Sequence, residues 1–225
     1  MTKGTMTLEE LVSGFKELPT GFVTDALRRL GLSGWTDGVR PLSRAHRHIV
    51  GPAVTLKFGP ARGDGPKMPS QYAVIRASNP GDVLVVAGGG TSSWLLGELI
   101  CSEAMYHGMA GVVVDGCVRD GDEIAEMEMP VFALGSGVRP YSPQLEVVEV
   151  GGQVDFAGAT VRPGDILVGD GDGLVVVPRE RAEDVLFQAR DIAEIEQRQH
   201  EAVKRRAPLE ILQKLTASKK VPKQH

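Results

Sequence analysis

The sequence predicts an α/β domain whose sheet mixes parallel and antiparallel strands. Three observations predict it. Short valine-rich runs outnumber helical stretches, turns drawn from 28 glycines in 225 residues separate them, and no shift of composition divides the chain in two. Hydrophobic residues at 42% beside 24% charged residues suit one sizeable core. A formal charge of −4 argues against nucleic acid as a partner held by general electrostatics. No apolar run is long enough to cross a bilayer, so no membrane partner is expected. Met1 to Glu10 has no apolar signal core, and the expected location is cytoplasmic. Cys101 and Cys117 lack metal-site spacing and are expected as free thiols.

Taken in order, residues 7 to 18 set Leu8, Leu11, Val12 and Phe15 on one stripe of an amphipathic helix. A second helix repeats Val23, Ala26, Leu27 and Leu30 at helical spacing, with Thr20 or Thr24 as its cap and Gly31 as its stop. Asp25 within it is read as a carboxylate favoured by the helix dipole. Strands over 39–42 and 49–58 follow. Residues 59 to 69, rich in glycine and proline, read as a loop carrying Arg62, Asp64 and Lys67. A helix over 70–77 leads through Pro80-Gly81-Asp82 to a strand over 83–87 that empties into Gly88-Gly89-Gly90. The helix beginning a few residues later offers unpaired N–H groups and a positive dipole end, which suits an anion. Val112-Val113-Val114 is a buried-strand run that leaves Arg119 and Asp120 just past its carboxyl end, the edge where open α/β sheets hold ligands.

Beyond them, 121–128 reads as helix and 131–134 as strand. Residues 146–150 and 154–156 form an expected hairpin around Gly151-Gly152, and 159–162 another strand. Pro163-Gly164-Asp165 repeats the earlier Pro-Gly-Asp turn. Asp170-Gly171-Asp172-Gly173 resembles part of a calcium loop but lacks the distal glutamate, so it reads as a hairpin turn. Arg179 to about Lys204 is one long helix, densely charged from Glu194 onward. Pro208 ends it, a short turn at 209–212 follows, and the Lys219-Lys220 tail is expected to fray.

Six blocks in unchanged order then carry a resemblance. They are Thr24-Asp25-Ala26-Leu27 with Leu30-Gly31, Gly51-Pro52-Ala53-Val54-Thr55, Pro80-Gly81-Asp82, Trp94-Leu95-Leu96-Gly97-Glu98, Gly111 to Gly116 with Val118-Arg119-Asp120, and Gly171 to Pro178. Together they resemble the RraA-like family, which includes class II aldolases of 4-hydroxy-4-methyl-2-oxoglutarate (HMG) and 4-carboxy-4-hydroxy-2-oxoadipate (CHA). The resemblance implies a single-domain α/β/β/α sandwich like the swivelling β/β/α domain. That domain would span 19–206, with an N-terminal helical extension at 1–18 and a C-terminal tail at 207–225. It further implies a homotrimer or hexamer with sites between subunits.

By the same resemblance, Asp120 binds a divalent metal, Mg²⁺ or Mn²⁺ or another, and Glu98 holds its waters. Arg119 holds the pyruvyl part of the substrate, and the backbone N–H groups of Gly97, Glu98, Leu99 and Ile100 cradle its carboxylate. A further acid from a neighbour's C-terminal helix falls on Glu194 or Glu196; Arg198 four residues on favours Glu194. The implied reaction is cleavage of HMG or a related 4-hydroxy-2-oxo acid to pyruvate, with oxaloacetate decarboxylation as a side activity.

These roles suit the residue types. A guanidinium grips a carboxylate two-pronged and cannot lose its proton, while a lone carboxylate holds a hard cation that keeps several waters. The C4 hydroxyl proton needs a base, for which a water assisted by Glu98 or Glu194 is the candidate. Lysine Schiff-base chemistry is disfavoured, since Lys57 and Lys67 lie away from the Arg-Asp edge. His46 and His48 share one face of a strand without a carboxylate partner and are not expected to bind metal. Trp94 reads as a packing residue, and Cys117, with no histidine placed beside it, is not a nucleophile.

Two alternatives remain at this stage. One is a non-catalytic RraA-like regulator that binds and inhibits an RNA-degrading endonuclease; the full acidic set favours the enzyme. The other is a lyase for a different oxo-acid, with Arg62 and Lys67 of the 59–69 loop meeting a second carboxylate.

Overall fold

The computed structural model describes residues 6–43, 45, 47–63 and 67–224, so the readings of His46 and Asp64 lie outside the described residues. The chain opens with helices Leu8–Lys16 (α1) and Thr20–Arg29 (α2), then strands Arg40–Pro41 (β1) and Ile49–Pro60 (β2), and helix Gln71–Ala77 (α3). Val83–Leu96 (β3), Glu98–Tyr106 (α4), Gly111–Val118 (β4), Gly121–Ala125 (α5) and Val131–Ser136 (β5) form the central portion. Leu145–Val150 (β6), Val154–Phe156 (β7), Ala159–Val161 (β8), Ile166–Asp170 (β9) and Gly173–Val177 (β10) precede helices Ala182–Lys204 (α6) and Leu209–Ser218 (α7).

The main sheet runs β1-β5-β4-β3-β2-β9-β10, with β6 also paired to β2; β7 and β8 form a separate two-stranded ribbon. The β2–β3, β3–β4 and β4–β5 pairs are parallel, and the rest are antiparallel. Strand alternation sends side chains into three separate cores. Leu84, Val86, Val112 and Val114 face α3, α4 and α5, while Val83, Val85 and Val113 face inward to pack with Phe132, Val154 and Phe156. On β9 and β10, Leu167, Leu174 and Val176 join that inner core, whereas Ile166, Val168, Val175 and Val177 turn outward to α1, α2 and α6. The sheet thus curls around its own filling, with helices on both outer faces. This is the α/β/β/α arrangement, and it explains why the central strands read as unbroken apolar runs.

The two Pro-Gly-Asp turns are built alike. Gly81 and Gly164 take positive φ of 87° and 85°, and each aspartate accepts the N–H three residues back, Asn79 to Asp82 at 2.7 Å and Arg162 to Asp165 at 2.8 Å.

Four elements differ from the sequence reading. The strand at 83–87 does not end at the glycines: β3 continues to Leu96, and the glycines absorb register shifts instead of closing the strand. Gly89 and Gly90 take φ of 63° and 74°, and a Cβ on Gly88 would lie 2.6 Å from the Asp115 carbonyl. The expected β6–β7 hairpin does not form, because β6 returns to the far half of β2 and β7 turns through Ala157-Gly158 onto β8. Residues 209–212 open a full ten-residue helix, packed through Leu215 and Leu212 against Ile195 and Ala202. The tail is docked: Arg29 donates to the Lys219 and Ser218 carbonyls at 2.9 and 3.3 Å, and Lys223 reaches Asp191 at 3.0 Å. Among the described residues no helix is long and apolar enough to cross a membrane.

Arg29 is the buried charge of this region. Its side chain is fully enclosed and contacts Asp191 at 2.7 Å and Gln188 at 2.9 Å. Burial works to raise the Asp191 carboxyl, but hydrogen bonds from Arg29 and Lys223 outweigh it and hold it below its ordinary value. That pairing therefore stabilises the fold above the ordinary aspartate range of about pH 4 and is lost as acid protonates Asp191 below it. Arg29→Met should lower unfolding free energy by about 1–3 kcal/mol in urea titration at neutral pH, because Asp191 is left with Lys223 alone and Gln188 and the Ser218 and Lys219 carbonyls lose their buried donor. The difference between the two proteins should shrink as the pH is taken below about 4.

Candidate functional site

The site candidates converge where the ends of β3 and β4 meet. Arg119 donates its N–H to the Leu96 carbonyl at 3.0 Å, which sets the residues after β4 beside the start of α4. The cap residue of α4, Gly97, has no side chain to satisfy the first helical N–H groups. Asp120 supplies the missing acceptor: its Oδ2 takes the Glu98 N–H at 3.2 Å. A Cβ on Gly97 would stand 2.3 Å from that oxygen and 2.9 Å from Arg119 Cγ, so only glycine leaves the space. Asp120 itself adopts the left-handed region, φ 59° and ψ 45°, and begins α5 as well. A non-glycine residue there stores on the order of 1 kcal/mol or more, and such strain collects at functional positions.

Arg119 stands beside Asp120 with Nε 3.4 Å from Oδ2; the side chains are 50% and 39% exposed. Neither terminal nitrogen of Arg119 nor Oδ1 of Asp120 has a protein partner among the described residues. The guanidinium lies over the Trp94 ring, 4.5 Å from its centroid. Glu98 is partly buried and has one oxygen fixed by the Ser102 hydroxyl at 2.9 Å, one helical turn on. Of the four N–H groups expected to cradle a carboxylate, Glu98's is taken by Asp120 and Ile100's by the Gly97 carbonyl at 3.1 Å. Leu99, at the second helical position, has no intrahelical acceptor, and its side chain is exposed. Cys101, beneath this turn, is pushed up to about 12 by burial and by the nearby Glu98 and Asp120 carboxylates, so it stays a thiol. Cys117 is a free thiol too.

The structure thus brings Glu98, Arg119, Asp120 and Gly97 together. Glu194 and Glu196 sit elsewhere, on α6: Glu194 is exposed, 3.8 Å from Lys223 Nζ, and Glu196 is paired with Lys219. Glu196 also lines a concavity of about 460 Å³ with Trp35, Arg40 and Asp172. Arg62 bonds Glu146 through its backbone, and its side chain, like that of Lys67, is exposed. Sequence reasoning missed two features. One is the capping of α4 by Asp120, for which the signal was a glycine at the cap position with no Ser, Thr, Asp or Asn there. The other is Trp94 as the platform for Arg119, which has no sequence signal because it needs the bulged register of β3.

A family model described as RraA-like, Aldolase/RraA, matches residues 20–176. A protein of Halalkalibacterium halodurans that carries the provisional name 4-hydroxy-4-methyl-2-oxoglutarate aldolase is 32% identical over 80% of this chain and 82% of its own. Among solved structures, an uncharacterised protein from Pseudomonas syringae superposes with a TM-score of 0.80 at 28% identity, covering 93% of this chain and 99% of that one. Streptomyces coelicolor RraAS2, described as an unusual member of the RNase ES inhibitor RraA protein family, gives a TM-score of 0.76 at 30% identity over 87% and 98%. On this agreement of sequence and architecture, the chain belongs to the RraA-like family.

Proposed function

We propose that this chain is a divalent-cation-dependent carbon–carbon lyase of the cytoplasm that releases pyruvate from HMG or a related 4-hydroxy-2-oxo acid, and decarboxylates oxaloacetate at the same corner. The observation that carries the reading is the pairing of Arg119 with Asp120, each keeping donor or acceptor capacity unspent toward solvent, beside a helix start.

The donors present suit a hard cation. Asp120 and Glu98 offer oxygen alone, and since among the described residues no group of three or more His, Cys, Asp or Glu is gathered to hold a metal ion, a cation here would keep most of its waters, as Mg²⁺ does. When bound, the cation supplies an electron sink for the C2 carbonyl. The chain's own groups do the rest. Arg119 binds the oxo-acid carboxylate through its terminal nitrogens and balances charge as the C3–C4 bond breaks. The Leu99 N–H orients the same carboxylate. Glu98, steadied by Ser102, receives the C4 hydroxyl proton through a water. Decarboxylation needs no such base, so both reactions fit one set of residues. The half-exposed corner supports a homotrimer or hexamer in which α6 of a second copy closes the site; Glu194, freer than Glu196, is the acid we assign there. The likeness to RraAS2 favours a second reading, a regulator that binds an RNA-degrading endonuclease.

Pyruvate release from HMG, CHA and oxaloacetate, followed with lactate dehydrogenase and NADH, should require Mg²⁺ or Mn²⁺ and vanish with EDTA. Asp120→Asn keeps the left-handed turn and an acceptor for Glu98, so stability should stay within about 0.5 kcal/mol. Its turnover should nevertheless fall at least about a hundredfold. Turnover indifferent to EDTA and to this change would end the proposal, and tight endonuclease binding without turnover would install the regulator. Gly97→Ala should behave differently, losing turnover and about 1–3 kcal/mol of stability together, because the new methyl displaces Asp120.

A further inference from the structure

We propose that Trp94 is a positioning residue: it holds the Arg119 guanidinium flat and open, so that the terminal nitrogens stay available for an oxo-acid carboxylate and do not fold onto Asp120. This rests on the functional reading above and assigns a role that reading does not need.

The geometry is a ladder of aromatic rings. Arg119 Cζ lies 4.5 Å from the Trp94 centroid, Trp94 meets Tyr141 edge-on at 5.3 Å and 88°, and Tyr141 meets Phe58 at 5.1 Å and 70°. Phe58 is buried in the core beneath α3 and α4, so the ladder is rooted there. The Trp94 backbone is fixed independently, donating to the Arg139 carbonyl at 2.8 Å and pairing in register with Cys117 on β4. Arg119 is adjacent in sequence to a carboxylate with which a guanidinium favours a two-pronged, charge-assisted fork. The observed contact is instead a single long approach of 3.4 Å through Nε. Stacking on an indole face is the interaction that competes with that fork, and it suits a planar guanidinium in a way that a lysine ammonium does not reproduce. Loss of the ring releases Arg119 toward Asp120, which engages the groups meant for carboxylate and cation with each other.

The test uses full-length protein with Mg²⁺. Trp94→Leu should raise KM for the oxo-acid on the order of tenfold while kcat changes less than about threefold, and Trp94→Phe, which keeps a ring, should restore KM to within about threefold. A KM untouched by Trp94→Leu, or equal damage in both variants, overturns the role of Trp94. A second readout needs neither turnover nor an altered Trp94. The chain has two tryptophans, so Trp35→Phe leaves Trp94 alone to report. Oxalate should then produce a saturable change in its emission, which Arg119→Lys removes. Oxalate binding seen by calorimetry without any emission change also overturns the proposal. Absence of both turnover and oxalate binding in the unaltered protein would instead overturn the functional reading and this role with it.

Discussion

The carboxylate of Asp120 capping a helix to which it does not belong is the constraint on which the site depends. α4 starts at a residue with no side chain, and the acceptor its first N–H needs comes from the strand–helix junction 22 residues later. That bond, together with the Arg119 N–H donated to the Leu96 carbonyl, fixes the spacing of Glu98 and Arg119. It also explains the backbone around it. Asp120 tolerates a left-handed conformation because the turn into α5 and the reach toward Glu98 demand it together, and Gly97 is glycine because any Cβ would occupy the path of that reach.

The sheet supplies the rigidity this corner requires. Parallel pairing of β3 with β4 aligns their carboxyl ends, and alternation along each strand spends one face on the inner core and the other on α3 to α5. The bulges in β3 then let its last residues depart from strict register, so Trp94 comes to lie beneath the residue after β4. A regular strand would alternate Trp94 and Leu96 on one face with no such offset.

Much of this was legible in the sequence, and the limits have physical causes. The Arg119-Asp120 edge followed from Val112–Val114 and the general preference of ligands for strand carboxyl ends, and the Asp-Gly turn at 170–173 followed from turn chemistry. The continuation of β3 was hidden because three successive glycines ordinarily end a strand, whereas here positive φ at two of them lets pairing resume after a bulge. The partner of β6 was hidden because a Gly-Gly pair suits a tight hairpin, while the far half of β2 offered a longer edge to pair with. Residues 209–218 were underread because Pro208 marks the end of one helix and equally suits the residue before another; Leu212 and Leu215 pack on Ile195 and Ala202 of α6, a tertiary contact that sustains so short a helix. The six blocks carried the family and could not carry the platform under Arg119, since stacking depends on neighbours brought together from three strands and a loop.

The docking of the terminal segment on Arg29 has a consequence for the chain as a whole. Two carbonyls from residues 218 and 219 help solvate a cation that has no access to water, and Gln188 clasps the backbone of Lys223 from both its amide atoms. Residues 218–223 therefore work as a clasp laid across α2 and α6: they meet the hydrogen-bonding groups of Arg29 and Gln188 inside the helix pair, while the apolar packing of Val23, Ala26 and Leu27 on Val185, Ala189 and Ile192 holds the pair itself.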